Sequence, residues 1–491
     1  MLFRPLIAAA LAAAIAAPVP AQERAAEAPP SAEADAVFSL RNVESLAFDS
    51  GRDGLFAIAD GRLMHWSLFP LTLKASLQLD TLASDLAVSP RGALFLAGQR
   101  WNPDSLLLLG GSILAFPVDS EAGIKDWVRL YMVPDNAVGI SQFSSVDFDD
   151  SGRAYFGSPV SFLLLVLPDD LAEVVPGTER RTFELSCGAS AQLSVFEAED
   201  QVFYFSSTIE GAALEFGRMA GPDEKAPRAE CFRVANIYEQ KASPATFYSV
   251  RHAVITRPAA EADGAPSRGV LVLEPNNGRL YFFEVGVAGG ELLISRARST
   301  EIDLAQLGAA EGESRTGSFG LLAASGDGTE IYVSGTSMRR VWRFGVDAGG
   351  KLVERGMFDL PAPAQAIEIA EDGRYAAFVT GENRFGAERV LTILDHPGKV
   401  PEGAPLPASL RSVRLLQELL NAAGFDAGRV DGIFGPRTIE AVQAYIEALE
   451  RMTNGDALAA AVSDQGAVRG GVNLDPLRGL VESVFPRRFA Q

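Results

Sequence analysis

Seven times between Asp35 and Asp395 the chain repeats one short pattern. An apolar or alternating strand meets a tight turn, and a second apolar strand follows. Ser45-Leu-Ala-Phe-Asp leads through Asp53-Gly to Leu55-Phe-Ala-Ile. Asp85-Leu-Ala-Val-Ser leads through Arg91-Gly to Ala93-Leu-Phe-Leu. Ser145-Val-Asp-Phe-Asp leads through Ser151-Gly to Ala154-Tyr-Phe. Four more units start at Leu193, His252, Leu321 and Ala366, with turns at Glu199-Asp200, the expanded loop 258–268, Asp327-Gly and Asp372-Gly. The spacing is about 40 to 70 residues. Each unit is too small to bury its own apolar face and must stack on its neighbours.

Units of this length, rich in β-branched and aromatic residues, predict four-stranded blades set around an axis. The expected fold class is therefore mainly β: a seven-bladed β-propeller over residues 35–396. After the seventh unit only one further strand, Val390-Leu-Thr-Ile-Leu394, precedes Pro-rich chain. A spare strand, Ala36-Val-Phe-Ser-Leu40, stands before the first unit. Closure of the ring by that strand would complete the last blade and remove an open edge. The turns resemble those of periplasmic propellers of the YVTN-repeat type.

Residues 397–408 read as a Pro-rich linker, and residues 409–491 as a small all-α domain. Val413, Leu416, Leu419 and Leu420 recur at helical spacing, and Gly424 is placed to cap that helix. Asp431-Gly432 is a tight-turn pair. Gly435-Pro436 opens a second helix, with proline at its first position and Ile439, Val442, Tyr445 and Ile446 turned to the first helix. Thr453 to Gly471 is Ala/Gly-rich, and Asp475-Pro476 begins a candidate third helix. Leu416-Gln417, Leu420-Asn421, Gly424-Phe425, Gly428, Val430-Asp431-Gly432, Phe434-Gly435, Thr438 and Ala441-Val442 together resemble the peptidoglycan-binding domain. The family usually closes the second helix with Phe-Gln, where Tyr445-Ile446 stands here. The resemblance implies a three-helix module that holds cell-wall glycopeptide. It implies peptidoglycan contacts at Phe425, Asp431, Gly432, Phe434, Gly435 and Thr438.

The N-terminus has the marks of an export signal over residues 1–21. Arg4 precedes an apolar run, and Val19-Pro-Ala21 places small residues at a cleavage site. Residues 22–34 read as disordered linker. No later stretch is long and apolar enough for a membrane helix, so a periplasmic, non-inserted protein is expected. Two cysteines, Cys187 and Cys231, suit an oxidising compartment. A disulfide between them is favoured over two buried thiols, although sequence cannot place their Cα atoms.

The net charge of −20 argues against nucleic acid and against docking on anionic lipid. Residues 409–491 hold nine Lys and Arg against ten Asp and Glu, so nearly all the acidity precedes the helical module. A near-neutral module is suited to an anionic wall, and an acidic propeller to a basic protein partner.

Signals of catalysis are sparse. His65, His252 and His396 are isolated, and nucleophile-elbow, zincin and P-loop motifs are absent. Asp147-Phe-Asp149-Asp-Ser-Gly152 resembles the start of a calcium loop, but Ser158 stands where the bidentate Glu belongs. The favoured reading there is a hairpin turn. Glu44 is a candidate channel carboxylate of the kind used by metal-dependent lactonase propellers, without assignable partners. No cofactor, metal ligand or catalytic residue is assigned. The expectation is a non-catalytic, exported peptidoglycan-binding protein whose propeller is an interaction scaffold with an unidentified protein partner. Trp101 and Trp127 are candidate aromatic anchors on it, with packing in the core the equal alternative for either. The alternative is a metal-dependent hydrolase, lactonase- or phosphoesterase-like, targeted to the wall by its C-terminal domain.

Overall fold

The structure is a computed structural model. It describes residues 43–453 except 50–52, 69–70, 91, 103–106, 120–122, 125–127, 133–141, 168–180, 209–212, 220–228, 234–249, 258–266, 276–277, 308–318, 337, 383–388 and 400–409. The export signal, the linkers 22–34 and 400–408, the strand at 36–40, the third helix, Trp127, and the side chains of Glu44 and Trp101 lie outside the described residues.

Seven antiparallel sheets follow one another in chain order, over residues 43–78, 81–132, 145–184, 190–233, 251–303, 319–359 and 364–395. All but the second are meanders whose hydrogen-bonded order matches the sequence order, as short turns demand. These are the blades of the expected seven-bladed propeller. Blade 2 departs from the pattern, because Gly123–Ile124 and Val128–Met132 both pair with its long third strand, Leu107–Asp119. Blade 7 has three strands among the described residues, ending at Arg389–Asp395.

Turn chemistry explains the meanders. Asp60-Gly61, Glu199-Asp200 and Gly289-Gly290 all hold positive φ at both central positions, the two-residue geometry that matches strand twist. The second strands are almost wholly buried: Gly54–Ala59, Ala154–Gly157, Ile331–Gly335 and Tyr375–Gly381 show no exposed or half-buried residue. They lie between other strands of the blade and between neighbouring blades, which explains their continuous apolar character.

The ring closes between blades 7 and 1. Their inner strands, Ala364–Ile369 and Val43–Asp49, are neighbours. Leu46, Leu55 and Trp66 of blade 1 share one apolar cluster with Tyr375, Val379 and Ile393 of blade 7. Phe48 stacks on Tyr375 at 6.3 Å, and Arg374 pairs with Asp53 at 3.0 Å.

The helical segment consists of α1 (Leu410–Ala422) and α2 (Pro436–Thr453). Its apolar faces do not form a separate core. Val413, Leu416, Leu420, Ile439, Val442, Tyr445 and Ile446 share a continuous cluster with Tyr332, Phe358, Phe378 and Leu394 of blades 6 and 7. Two bodies joined by a linker, as the composition reads, are here packed around common apolar residues.

Cys187 and Cys231 are joined by a disulfide with Cα atoms 5.9 Å apart. The bridge ties the segment entering blade 4 to its outer strand, Glu230–Arg233. The Glu215 carboxylate accepts the amides of Ser186 and Cys187 at 2.9 and 2.8 Å and so orients this segment.

Candidate functional site

The loop between α1 and α2 is assembled around one side chain. Helix α1 ends in a Schellman motif: the Phe425 amide donates to Leu420 O at 2.9 Å and the Gly424 amide to Asn421 O at 3.1 Å. Gly424 takes the required positive φ of 89°. The chain then turns at Gly428, where Asn421 Nδ2 donates to the Gly428 carbonyl and Asn421 Oδ1 accepts the Ala427 amide. Gln417, one turn earlier on α1 and 2% exposed, fixes the rest. Its Oε1 accepts the amides of Asp431 and Gly432 at 3.1 and 2.9 Å. Its Nε2 lies within hydrogen-bond distance of Asp431 Oδ1, Ile433 O and Thr438 Oγ1 at 3.0 to 3.1 Å. A buried amide that satisfies backbone groups on both sides of a turn holds that turn rigidly.

The six residues implied as glycopeptide contacts are gathered within this loop and the start of α2. Asp431 accepts the Ile433 amide at 2.9 Å and closes the turn. Gly432 holds φ at 84°, where a β-branched residue is strained. Thr438 is buried and donates to Ala427 O at 3.3 Å. Gly435 caps α2, whose Ile439 amide donates to its carbonyl at 3.0 Å. Phe425 is half-buried and meets Tyr445 edge-on at 5.5 Å.

Phe434 also meets the propeller. It is 2% exposed and lies against the outer edge of blade 7. Its amide donates to Ile393 O at 3.2 Å, and its carbonyl accepts the Asp395 amide at 3.3 Å. The result is a one-residue parallel bridge to Leu394, on the side of the strand where a fourth strand would lie. Ile433, also buried, enters the cluster shared by blades 1 and 7.

A second group of side chains surrounds the propeller axis. In blades 1, 2, 4, 6 and 7 the inner strand carries a register shift close to its start. Such bulges re-aim side chains. Asp85 follows one of these shifts, and its Oδ2 accepts the Val146 amide of blade 3 at 3.0 Å. Asp147 repeats the contact one blade on, accepting the Val195 amide at 2.7 Å. Gln192 repeats it again, accepting the His252 amide at 3.1 Å and donating to the His252 carbonyl at 2.9 Å. Blades 2 to 5 are thus clamped through their inner strands.

These channel carboxyls are enclosed by protein, though solvent still touches them. Desolvation pushes Asp85 and Asp147 up to about 7, against their hydrogen bonds to backbone amides. Glu368, on the inner strand of blade 7, is pushed up to about 8 by burial and by the Asp85 charge. Arg251 is held below its usual range by burial, and its charge favours the ionised form of Asp85. Among the described residues no three His, Cys, Asp or Glu side chains are grouped to hold a metal ion. The Asp147 segment is a hairpin turn: Asp149 Oδ1 accepts the Ser151 hydroxyl and the Arg153 amide, and Oδ2 accepts the Tyr155 hydroxyl.

Each histidine has a close neighbour. His65 stacks on Phe56 at 4.3 Å, and His396 pairs with Asp395 at 2.7 Å in the segment leaving the propeller. His252 is buried, with Nδ1 2.6 Å from Ser207 Oγ; burial and the Arg251 charge lower it to about 3. Sequence reasoning missed the clamp roles of Asp85, Asp147 and Gln192, together with Glu368 beside the axis and Gln417 as the loop's centre. The usable signal was a polar residue interrupting an apolar inner strand or an apolar helix face.

Residues 410–445 match the family described as putative peptidoglycan binding domain. The chain carries a peptidoglycan-binding module. The match spans α1, the Gln417-centred loop and most of α2, so the module's described part is the one that packs on blades 6 and 7. No curated protein matches the chain. Among solved structures, the WD40 repeats of RRP9 are similar at 12% identity and a TM-score of 0.47, over 75% of this chain and 99% of that one. Hydrazine synthase of Kuenenia stuttgartiensis is similar at 11% identity and a TM-score of 0.43, over 73% and 97%. Likeness at this level says nothing about what the propeller of this chain binds.

Proposed function

We propose that this protein is exported to the periplasm, binds peptidoglycan through its C-terminal module, and presents its propeller as a non-catalytic scaffold for a protein partner. The observation that carries the reading is the peptidoglycan-binding module with its rigid, Gln417-centred loop. The N-terminal sequence supports export, since a basic residue, an apolar run and small residues at a cleavage site stand in order. The disulfide is consistent with an oxidising compartment. The acidic propeller favours a basic partner whose association weakens as salt rises.

Sedimentation with purified sacculi tests the first part. The full chain is expected in the pellet, and Gly432→Val is expected to reduce binding, because the Gln417-bonded turn requires positive φ. Equal pelleting by the Gly432→Val chain would remove the loop from the site. Hydrolysis of a lactone, phosphoester or glycoside that disappears in Asp147→Asn or Glu44→Gln would instead make the channel catalytic.

A further inference from the structure

The outer edge of blade 7 covers part of the loop that the wall-binding reading assigns to ligand. Phe434 and Ile433 are 2% and 5% exposed, and Gly432 is buried with them. No glycan or stem peptide reaches Phe434 while the loop lies there. We propose that peptidoglycan and the seventh blade compete for residues 431–435, so that the structure shows a latched module and wall binding lifts the loop off the propeller edge. The proposal rests on the wall-binding reading above.

Three features suit the contact to reversal. The bridge is a single residue long. Its two hydrogen bonds, at 3.2 and 3.3 Å, are longer than the usual backbone bond of about 2.9–3.0 Å. The blade does not depend on them for its own ladder, because Arg389–Asp395 remains paired with Tyr375–Gly381 on its other side. An extended edge offering backbone groups is a ready receptor for one residue of a loop. The same edge can therefore hold the module or lose it without unpairing the sheet. A ligand that binds only the released loop must overcome this docking, and its apparent affinity falls accordingly.

Two changes move the latch in opposite directions in the full chain. A Cβ added at Gly435 would stand 3.4 Å from Asp395 Cβ, and Gly435 is not at positive φ. Asp395→Cys with Gly435→Cys is thus placed for a disulfide that locks the loop on the blade. Asp395→Pro removes the amide that bonds Phe434, and this amide faces away from the neighbouring strand. Binding of intact sacculi is then measured for the parental chain, both single-cysteine chains, the double-cysteine chain before and after reduction, and Asp395→Pro. Parental protein treated with the same reductant controls for Cys187–Cys231. The oxidised double-cysteine chain is expected to bind about tenfold more weakly than the parent and to recover on reduction, while Asp395→Pro binds more tightly. Equal binding by the locked and parental chains overturns the competition and leaves wall binding standing. Absence of binding in every chain, Asp395→Pro included, overturns the wall-binding reading and the competition with it.

Discussion

At the scale of single residues, Gln417 decides whether the module's loop has a shape. Its amide serves the Asp431 and Gly432 amides, the Ile433 carbonyl and Thr438, all in a buried setting. Gln417→Leu keeps the volume and removes every one of these partners. Leaving buried polar groups unpaired costs about 1–3 kcal/mol each, with incomplete additivity. The expected loss is about 3 kcal/mol in urea unfolding, together with weaker sacculus binding. A midpoint unchanged from the parent would show that the loop is held from elsewhere. Part of this was legible without coordinates. Gly424, Asp431-Gly432 and Gly435-Pro436 announce their conformations because turn and cap geometry is local. Gln417 reads as one polar residue on an apolar helix face, and its partners stand 14 to 21 positions away. Nothing in its immediate neighbourhood discloses them.

At the scale of elements, the repeated strand–turn–strand pattern disclosed the blades because side-chain alternation and turn residues act within a few positions. Two of the inner-strand clamps, Asp85 and Gln192, were hidden because each follows a register shift, which reverses the face a side chain takes. Asp85 in Asp85-Leu-Ala-Val-Ser looks like the polar start of a strand; the structure turns it to the backbone of blade 3. These clamps have a pH consequence. Asp85 and Asp147 rise from 3.8 to about 7, and Glu368 rises from 4.5 to about 8. A carboxyl with a raised folded-state pKa contributes stability that is full below its unfolded value and lost as pH climbs through its folded value. His252, lowered from 6.5 to about 3, acts in the opposite sense below pH 6.5. Three carboxyls outweigh one imidazole, so the melting temperature is expected to rise as pH falls from 8 to 5. Asp85→Asn keeps an acceptor for the Val146 amide and cannot ionise, so thermal melts at several pH values should show a shallower slope for it. An unchanged slope would mean that Asp85 titrates normally in the folded chain.

At the scale of the whole molecule, the composition reads as a propeller, a Pro-rich connector and a helical module; among the described residues seven sheets precede two helices. Composition does not disclose that the module shares its apolar surface with blades 6 and 7. Val413 and Ile439 look like partners for each other; they share one cluster, and Leu394, Phe358 and Phe378 belong to it as well. An amphipathic helix shows that it has a buried face without naming what covers it. The shared cluster makes a thermodynamic claim. Two bodies with separate cores unfold in separate transitions, whereas bodies joined through a common core lose stability together. Phe434 is the residue on which this is tested most directly, because it belongs to the module's loop and packs against the propeller edge. Phe434→Ala removes a buried ring and is expected to cost about 3–5 kcal/mol. If the module and blades 6 and 7 form one cooperative unit, calorimetry of the parent shows module helices and propeller melting together, and Phe434→Ala lowers that shared transition. If the module melts first, with the propeller's near-ultraviolet signal unchanged and its midpoint indifferent to Phe434→Ala, the shared core does not couple them. The latch described above sits between these limits. It asks that loop 431–435 leave the blade edge at a cost small enough for a ligand to meet. Exchange of the Phe434 and Asp395 amides in deuterated buffer reports that local opening separately from global unfolding. Both should exchange well ahead of the buried second-strand amides at Ala376 and Phe378, and equal protection of all four would show the edge contact to be as permanent as the sheet itself.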